Sequence, residues 1–182
     1  MKDISKTTGI TFGYILAGYY LVVNLIVFFA DYTLFAKPYL GFVNMVMVLV
    51  LGVSCIWITK RRLGNLITTK QGFTAFFIMV LIGMFVNQLV QFILFNFVNP
   101  EAKVVNNQIL VSMAESIARD IDAPAEDIDK QIEYMRSNPN DNFSVKSMLF
   151  AFAQSILGAS IAGLLIALIF RNKTEFSSPK IN

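Results

Sequence analysis

The sequence lacks histidine altogether and has one cysteine among its 182 residues. That cysteine, Cys55, lies inside a long apolar stretch. A disulfide within one chain needs two cysteines, and the usual zinc sites are built from cysteine and histidine, so neither is expected. Acid–base catalysis by histidine is excluded for the same reason.

Other catalytic and cofactor-binding patterns are also missing. Serine and threonine are scattered along the chain with no histidine or lysine base in reach, and no glycine-rich loop would hold a phosphate. The net charge is only +3. We therefore expect a protein that is not an enzyme, that holds no metal and no cofactor, and that has no nucleic-acid partner.

Charge is absent from four long stretches of the chain. Hydrophobic residues make up 55% of the sequence, against roughly 45–50% in a soluble domain. The stretches without aspartate, glutamate, lysine or arginine are residues 10–30, 38–59, 73–100 and 147–170. Even the shortest reaches about 31 Å as a helix, which covers a hydrocarbon core of about 30 Å. We predict four transmembrane helices.

Two alternatives to four retained spans can be weighed on the same residues. Buried helices of a soluble bundle still need a charged outer face, and these stretches have none. A cleaved signal peptide at the amino terminus would have a much shorter apolar region, and Phe28-Phe29-Ala30 is a poor cleavage site. We expect the first stretch to be a retained span.

The charges outside the spans predict the orientation. The segments on one side hold nine basic and two acidic residues, and those on the other side hold six basic and ten acidic residues. The short basic loop weighs most in this comparison, since Lys60, Arg61, Arg62 and Lys70 face no acid. We predict an inner-membrane protein with both termini in the cytoplasm. The basic loop could also attract anionic lipid headgroups.

The acidic loop 101–146 is then extracytoplasmic and reads as two amphipathic helices. In the first helix the apolar side chains recur mostly at steps of three and four, at Val104, Val105, Leu110, Met113, Ile117 and Ile121. The second starts near Pro124 and has Ile128, Ile132 and Met135 on one stripe. The loop is either a docking surface or lid, or a hairpin that packs on itself and on the membrane. A continuous rod that prolongs the third span is a further option.

The only strongly polar side chains inside the spans are amides. Asn87, Gln88 and Gln91 share one face of the third span, and Gln154 lies at a similar depth in the fourth, which allows Gln91 and Gln154 to meet. Asn24 and Asn44 are similar candidates in the first two spans. These amides either line a path for a solute or hold helices together. The absence of intramembrane charge argues against a proton-coupled antiporter or a pump.

Small residues recur at four-residue spacing in two of the spans. The fourth has Gly158, Ala159, Ala162 and Gly163, and the first begins with Gly9 and Gly13. Such faces allow close helix packing within one chain or between chains, so a homo-oligomer stays open.

The order of these features resembles a known family. Two spans and a basic turn precede Gly72-Phe73-Thr74-Ala75-Phe76, an acidic helical loop runs to Ser137-Asn138-Pro139, and a fourth span ends at Arg171-Asn172-Lys173. This layout is similar to the bacterial membrane proteins catalogued as domain of unknown function 4199, over nearly the full chain. The resemblance implies the four-span topology and supplies no activity or catalytic residue.

The sequence therefore predicts an all-α polytopic protein of the bacterial cytoplasmic membrane. Residues 1–182 form a single membrane domain, a four-helix bundle with the extracytoplasmic insertion 101–146. Its partners are the lipid bilayer and either another membrane protein or further copies of itself. The favoured function is a non-enzymatic accessory or scaffolding protein.

Two other functions stay open as alternatives. One is an oligomeric small-solute transporter or channel lined by the amides. The weaker one is a membrane enzyme that acts on lipid through loop carboxylates such as Glu115, Asp120 and Asp122.

Overall fold

The fold is built from helices throughout the part of the chain that the structure, a computed structural model, describes. The described residues are 3–120 and 142–172, and they contain no strand. Their helices are α1 (Ile4–Asp31), α2 (Pro38–Arg62), α3 (Thr69–Ile93), α4 (Pro100–Asp120) and α5 (Val145–Phe170). The predicted all-α class is confirmed.

The helix starts carry side-chain caps, except that of α2, which begins with a proline. The Asp3 carboxylate accepts from the Ser5 backbone N–H at 3.0 Å, and Pro38 occupies the first turn of α2. Thr68 and Gln71 form a capping box at the start of α3. Ser144 caps α5 by accepting from a backbone N–H.

Four segments are long and apolar enough to cross a membrane, so the four predicted spans are confirmed. They are Ile4–Ala36, Pro38–Arg62, Thr69–Val98 and Val145–Phe170. The first includes a short 3-10 helix, Tyr32–Ala36, that follows α1. The chain is a multi-pass membrane protein.

The third uncharged stretch does not continue into the loop as a rod. α3 ends at Ile93 and passes into a π-helical segment, Leu94–Val98. The backbone then leaves the helical region at Asn99, where φ is −145° and ψ is 89°, and α4 starts at Pro100. Because a proline disfavours a helical conformation in the residue before it, the break falls where the sequence places Pro100.

α3 is the central helix and packs against α1, α2 and α5. α1 runs parallel to it, since Gly9 faces Ala75 near one end and Phe28 contacts Phe95 near the other. α2 and α5 run antiparallel to it. One end of the bundle therefore carries α4 and is called the α4 end below. The other carries the basic loop and is called the basic end.

The half of the bundle towards the basic end is closed around Phe76, which is completely buried on α3. Gly52 of α2 and Gly163 of α5 both lie directly against its ring. A methyl group on either glycine would overlap the ring. The Phe76 ring therefore fits between α2 and α5 only because these two positions have no side chain. Gly163 therefore serves packing within the chain. Gly158, in contrast, has open space around it.

The first helix of the predicted loop is present as α4. The predicted second helix, with Ile128, Ile132 and Met135, lies outside the described residues, as does Asp122.

Candidate functional site

Three amide side chains form a closed hydrogen-bonded triad between α1 and α3. Asn24 Nδ2 donates to Asn87 Oδ1 at 2.8 Å, and Gln91 Nε2 donates to Asn87 Oδ1 at 3.1 Å. Gln91 Nε2 also lies 3.4 Å from Asn24 Oδ1. Asn24 is 2% exposed, whereas Asn87 and Gln91 are partly exposed. The triad ties two parallel helices together about 10 Å from the end of α1.

The predicted cluster is thus partly assembled and partly dispersed. Asn87 and Gln91 come together, with Asn24 as their partner. Gln88 is partly exposed and makes no hydrogen bond within the described chain.

Gln91 and Gln154 do not meet, although their similar depth allowed it. Gln154 is exposed and has no hydrogen bond in the described chain. α5 packs through a face that includes Gly163 and Ala167. Gln154 precedes Gly163 by nine residues, which is about two and a half turns, so it projects from the opposite side of the helix.

A second polar contact joins α1 to α2. The Tyr19 hydroxyl donates to Asn44 Oδ1 at 3.0 Å, which gives Asn44 the packing role considered for it above. The described amides of α1 and α2 therefore each reach a neighbouring helix.

The α4 end is closed by an aromatic cluster centred on Phe95, which is completely buried. Phe95 stacks on Phe143 with ring centroids 3.9 Å apart. Phe28 and Phe35 each meet the Phe95 ring edge-on at 5.2 Å. The cluster joins the end of α1, the following 3-10 helix, the π-helical segment and the start of α5.

Asparagines that the sequence reasoning missed fix α4 to this end. Asn106 is 1% exposed and donates through Nδ2 to the Tyr32 carbonyl at 3.0 Å. Asn96 Nδ2 donates to the Phe143 carbonyl at 2.9 Å. Lys103 Nζ donates to Asn96 Oδ1 at 3.2 Å. Free backbone carbonyls at helix ends attract such donors, and the clue in the sequence was asparagine close to each predicted helix end.

The face of α4 that packs on the bundle includes part of the predicted stripe, but Val104 lies outside it. Among the described side chains of α4, Ala102 and Asn106 are buried, and Val105, Leu110 and Met113 are half-buried, whereas Val104 is 54% exposed. The apolar spacing included Val104 in the stripe and left out Asn106, because a buried asparagine does not count as apolar. The exposed face carries Glu101, Val104, Gln108, Ser112 and Ser116.

The predicted basic loop lies at the other end of the bundle and has structural contacts of its own. Lys60 Nζ donates to the Phe170 carbonyl at the end of α5 at 3.0 Å. Arg62 Nη1 donates to Thr8 Oγ1 at 3.3 Å, and Arg61 lies 4.0 Å from the Trp57 ring centroid. Lys70 is exposed. Lys60 thus offsets the partial negative charge of a helix carboxyl end.

Metal binding finds no geometric support in the described residues. Across residues 3–120 and 142–172, no three cysteine, aspartate or glutamate side chains gather closely enough to hold an ion.

Comparison with known proteins identifies the family. The family model described as "Protein of unknown function (DUF4199)" matches residues 11–172, so the chain belongs to this family. No curated protein and no solved structure matches the chain.

Replacing Asn24 with leucine tests what the triad does. Asn24→Leu removes both bonds from α1 to α3 and should destabilise the protein by about 1–2 kcal/mol, the usual range for interhelical amide bonds in membranes. Denaturation by SDS, followed through the fluorescence of Trp57, the only tryptophan, measures this. Gln88→Leu is the matched control and should have little effect.

The same variants separate a packing role from a conduction role. A solute flux in liposomes that disappears in Asn24→Leu, with unfolding unchanged, would contradict the packing role and favour a path through the amides.

Proposed function

We propose that this chain is a non-enzymatic accessory or scaffolding protein of the bacterial inner membrane, in which α4 is the docking surface for a membrane-protein partner. The observation that carries the proposal is the attachment of α4. Its buried side is held to the bundle by Asn106 and by the aromatic cluster around Phe95. Its other side stays exposed.

The orientation follows from the charges at the two ends. Lys60, Arg61 and Lys70 belong to the basic end. Short basic loops beside span ends remain in the cytoplasm. Both termini are then cytoplasmic, and α4 lies on the extracytoplasmic side.

The fixed position of α4 supports docking over a flexible lid. A surface that is already ordered loses little conformational entropy when a partner binds. The exposed face is mostly uncharged, with Gln108, Ser112 and Ser116 beside the exposed Val104. Amide and hydroxyl groups next to a small apolar patch suit the polar interface of a reversible protein complex.

The intramembrane polar groups support a structural role over transport. Within the triad Asn24 both donates and accepts, Asn87 accepts and Gln91 donates. An amide committed to another amide has fewer groups left to replace the hydration shell of a solute. The lack of histidine and of charge inside the spans supports the non-enzymatic part of the proposal.

Site-specific photo-crosslinking in native membranes tests the docking surface. p-Benzoylphenylalanine placed at Gln108 or Ser112 should give one discrete adduct with a foreign membrane protein, identified by mass spectrometry. Tyr39 is the matched control, because it is 50% exposed at the same end of the bundle but lies on α2. The adduct should be weak or absent there.

A charge placed on the docking face should weaken the complex. Gln108→Arg is expected to reduce recovery of the identified partner by about tenfold, since an unpaired charge is unfavourable in an interface. Equal adduct yield at Tyr39 and Gln108, or adducts with lipid alone, would contradict the proposal.

A further inference from the structure

Gln154 places an amide on the lipid-facing surface near the middle of a membrane span. It is the tenth of the 26 residues of α5, so it lies about 5 Å from the helix midpoint. The side chain is exposed and makes no hydrogen bond within the described chain. In the hydrocarbon core no water is available to bond to it. A free amide at this depth is strongly unfavourable, so it needs a partner that the described part of the chain does not supply.

The exposed residues around Gln154 have the spacing of a helix-packing seam, and this row is called the seam below. Exposed large side chains follow one another at steps of four, three, four, three and four, at Phe150, Gln154, Leu157, Ile161, Leu164 and Leu168. This is the 3.5-residue repeat of a coiled coil. The seam lies away from the face of α5 that packs on α3, and Gly158 beside it leaves open space.

We propose that α5 forms a parallel homodimer through this seam, with the Gln154 amides of two copies hydrogen-bonded to each other. Two copies inserted by the same topology have the same orientation in the membrane, so their Gln154 side chains lie at the same depth. The amide is self-complementary because it carries both a donor and an acceptor. A second copy therefore supplies the required group at the required depth automatically.

The repeat also places Gln154 where a dimer would use it. In the pattern of the seam it occupies an a position, and in a parallel two-stranded coiled coil each a residue faces its own equivalent. A single polar residue at an a position fixes register and the number of strands. The dimer does not depend on the proposed docking role of α4, because the two surfaces share no residue.

Subunit counting in lipid vesicles tests the dimer. Labelled full-length chains are reconstituted at decreasing protein-to-lipid ratios, and the dimer fraction is read from single-molecule photobleaching steps. Gln154→Leu should weaken association by about 3- to 30-fold. Gln88→Leu, the same change on α3, should leave it unchanged. Because Gln154 has no bond within the described chain, the SDS unfolding curve of Gln154→Leu should match that of the wild type.

Cysteine cross-linking tests the geometry independently. Ile161 lies on the seam. Ile169 is 79% exposed but lies beside the seam, so Ile169→Cys is the control for Ile161→Cys. Oxidation in membranes should cross-link the first variant strongly and the second weakly. The wild type should not cross-link, because Cys55 is completely buried.

The outcomes decide the proposal without ambiguity. Association that weakens in Gln154→Leu, with cross-linking confined to Ile161→Cys, supports it. A wild-type chain that stays monomeric at every ratio overturns it, and so does an unchanged dimer fraction in Gln154→Leu. Cross-linking of Ile161→Cys only to a foreign protein also overturns it.

Discussion

Gly163→Ala is expected to destabilise the bundle by about 1–3 kcal/mol, although it adds a single methyl group. The new Cβ would overlap the ring of Phe76. The ring cannot move aside, because Gly52 lies against its opposite edge and Phe76 is completely buried. Relief therefore requires α5 or α2 to shift away from α3, and that loosens contacts along the whole bundle.

Equilibrium unfolding in SDS, read from Trp57 fluorescence, measures this effect. Gly18→Ala is the control, since nothing lies within 4 Å of a Cβ at Gly18, and it should be nearly neutral. Gly163→Ala combined with Phe76→Leu should be more stable than the sum of the two single changes predicts, because a smaller side chain makes room for the methyl group. Additive effects would show that the overlap between Gly163 and Phe76 is relieved elsewhere.

The spans were predictable because their evidence is local. An uncharged stretch of sufficient length has no stable place except lipid, and residues 10–30, 38–59 and 147–170 each satisfy that condition. The same holds for most of 73–100. The end of α3 within this stretch was harder to predict, because the π-helical segment Leu94–Val98 is as apolar as the helix before it.

The rotation of each span about its own axis was not predictable by the same means. In a soluble helix the polar side marks the outside, but a span that is apolar all round carries no such mark. The sequence therefore allows Gln154 to contact Gln91 inside the bundle. In the structure the Gln154 side chain is exposed on the outside of the bundle. The glycines at 52 and 163 contained the missing information, yet only the position of Phe76 in space shows why those two are buried and Gly158 is not.

The amide triad was predictable only in part. The spacing of Asn87 and Gln91 correctly placed them on one face of α3. Asn24 was also a candidate from the sequence. Its hydrogen bond to Asn87 was not predictable, because that bond depends on which helices are neighbours. That choice is made by packing, since Gly9 and Gly13 bring α1 close to α3.

Phe95→Ala is expected to have the largest effect at the α4 end, with a loss of about 3–5 kcal/mol for a fully buried phenylalanine. Phe95 stacks on Phe143 and meets Phe28 and Phe35 edge-on, so its removal leaves a cavity at the point where these segments meet. Hydrogen exchange of the α4 backbone should accelerate, because local opening becomes easier where the cluster is lost. Phe97→Ala is the matched control, since Phe97 is 71% exposed.

Hydrogen exchange in the rest of the bundle decides how the effect of Phe95→Ala on docking is interpreted. If exchange accelerates in α4 while α1 and α3 around Asn24 and Asn87 stay protected, the aromatic cluster is what holds α4 to the bundle. The photo-crosslink from Gln108 should then decrease along with it, because a partner would have to order the helix before binding it. If α4 stays protected in Phe95→Ala, its attachment depends on Asn106 instead. An undiminished adduct from an α4 that has become mobile would contradict docking to a preformed surface.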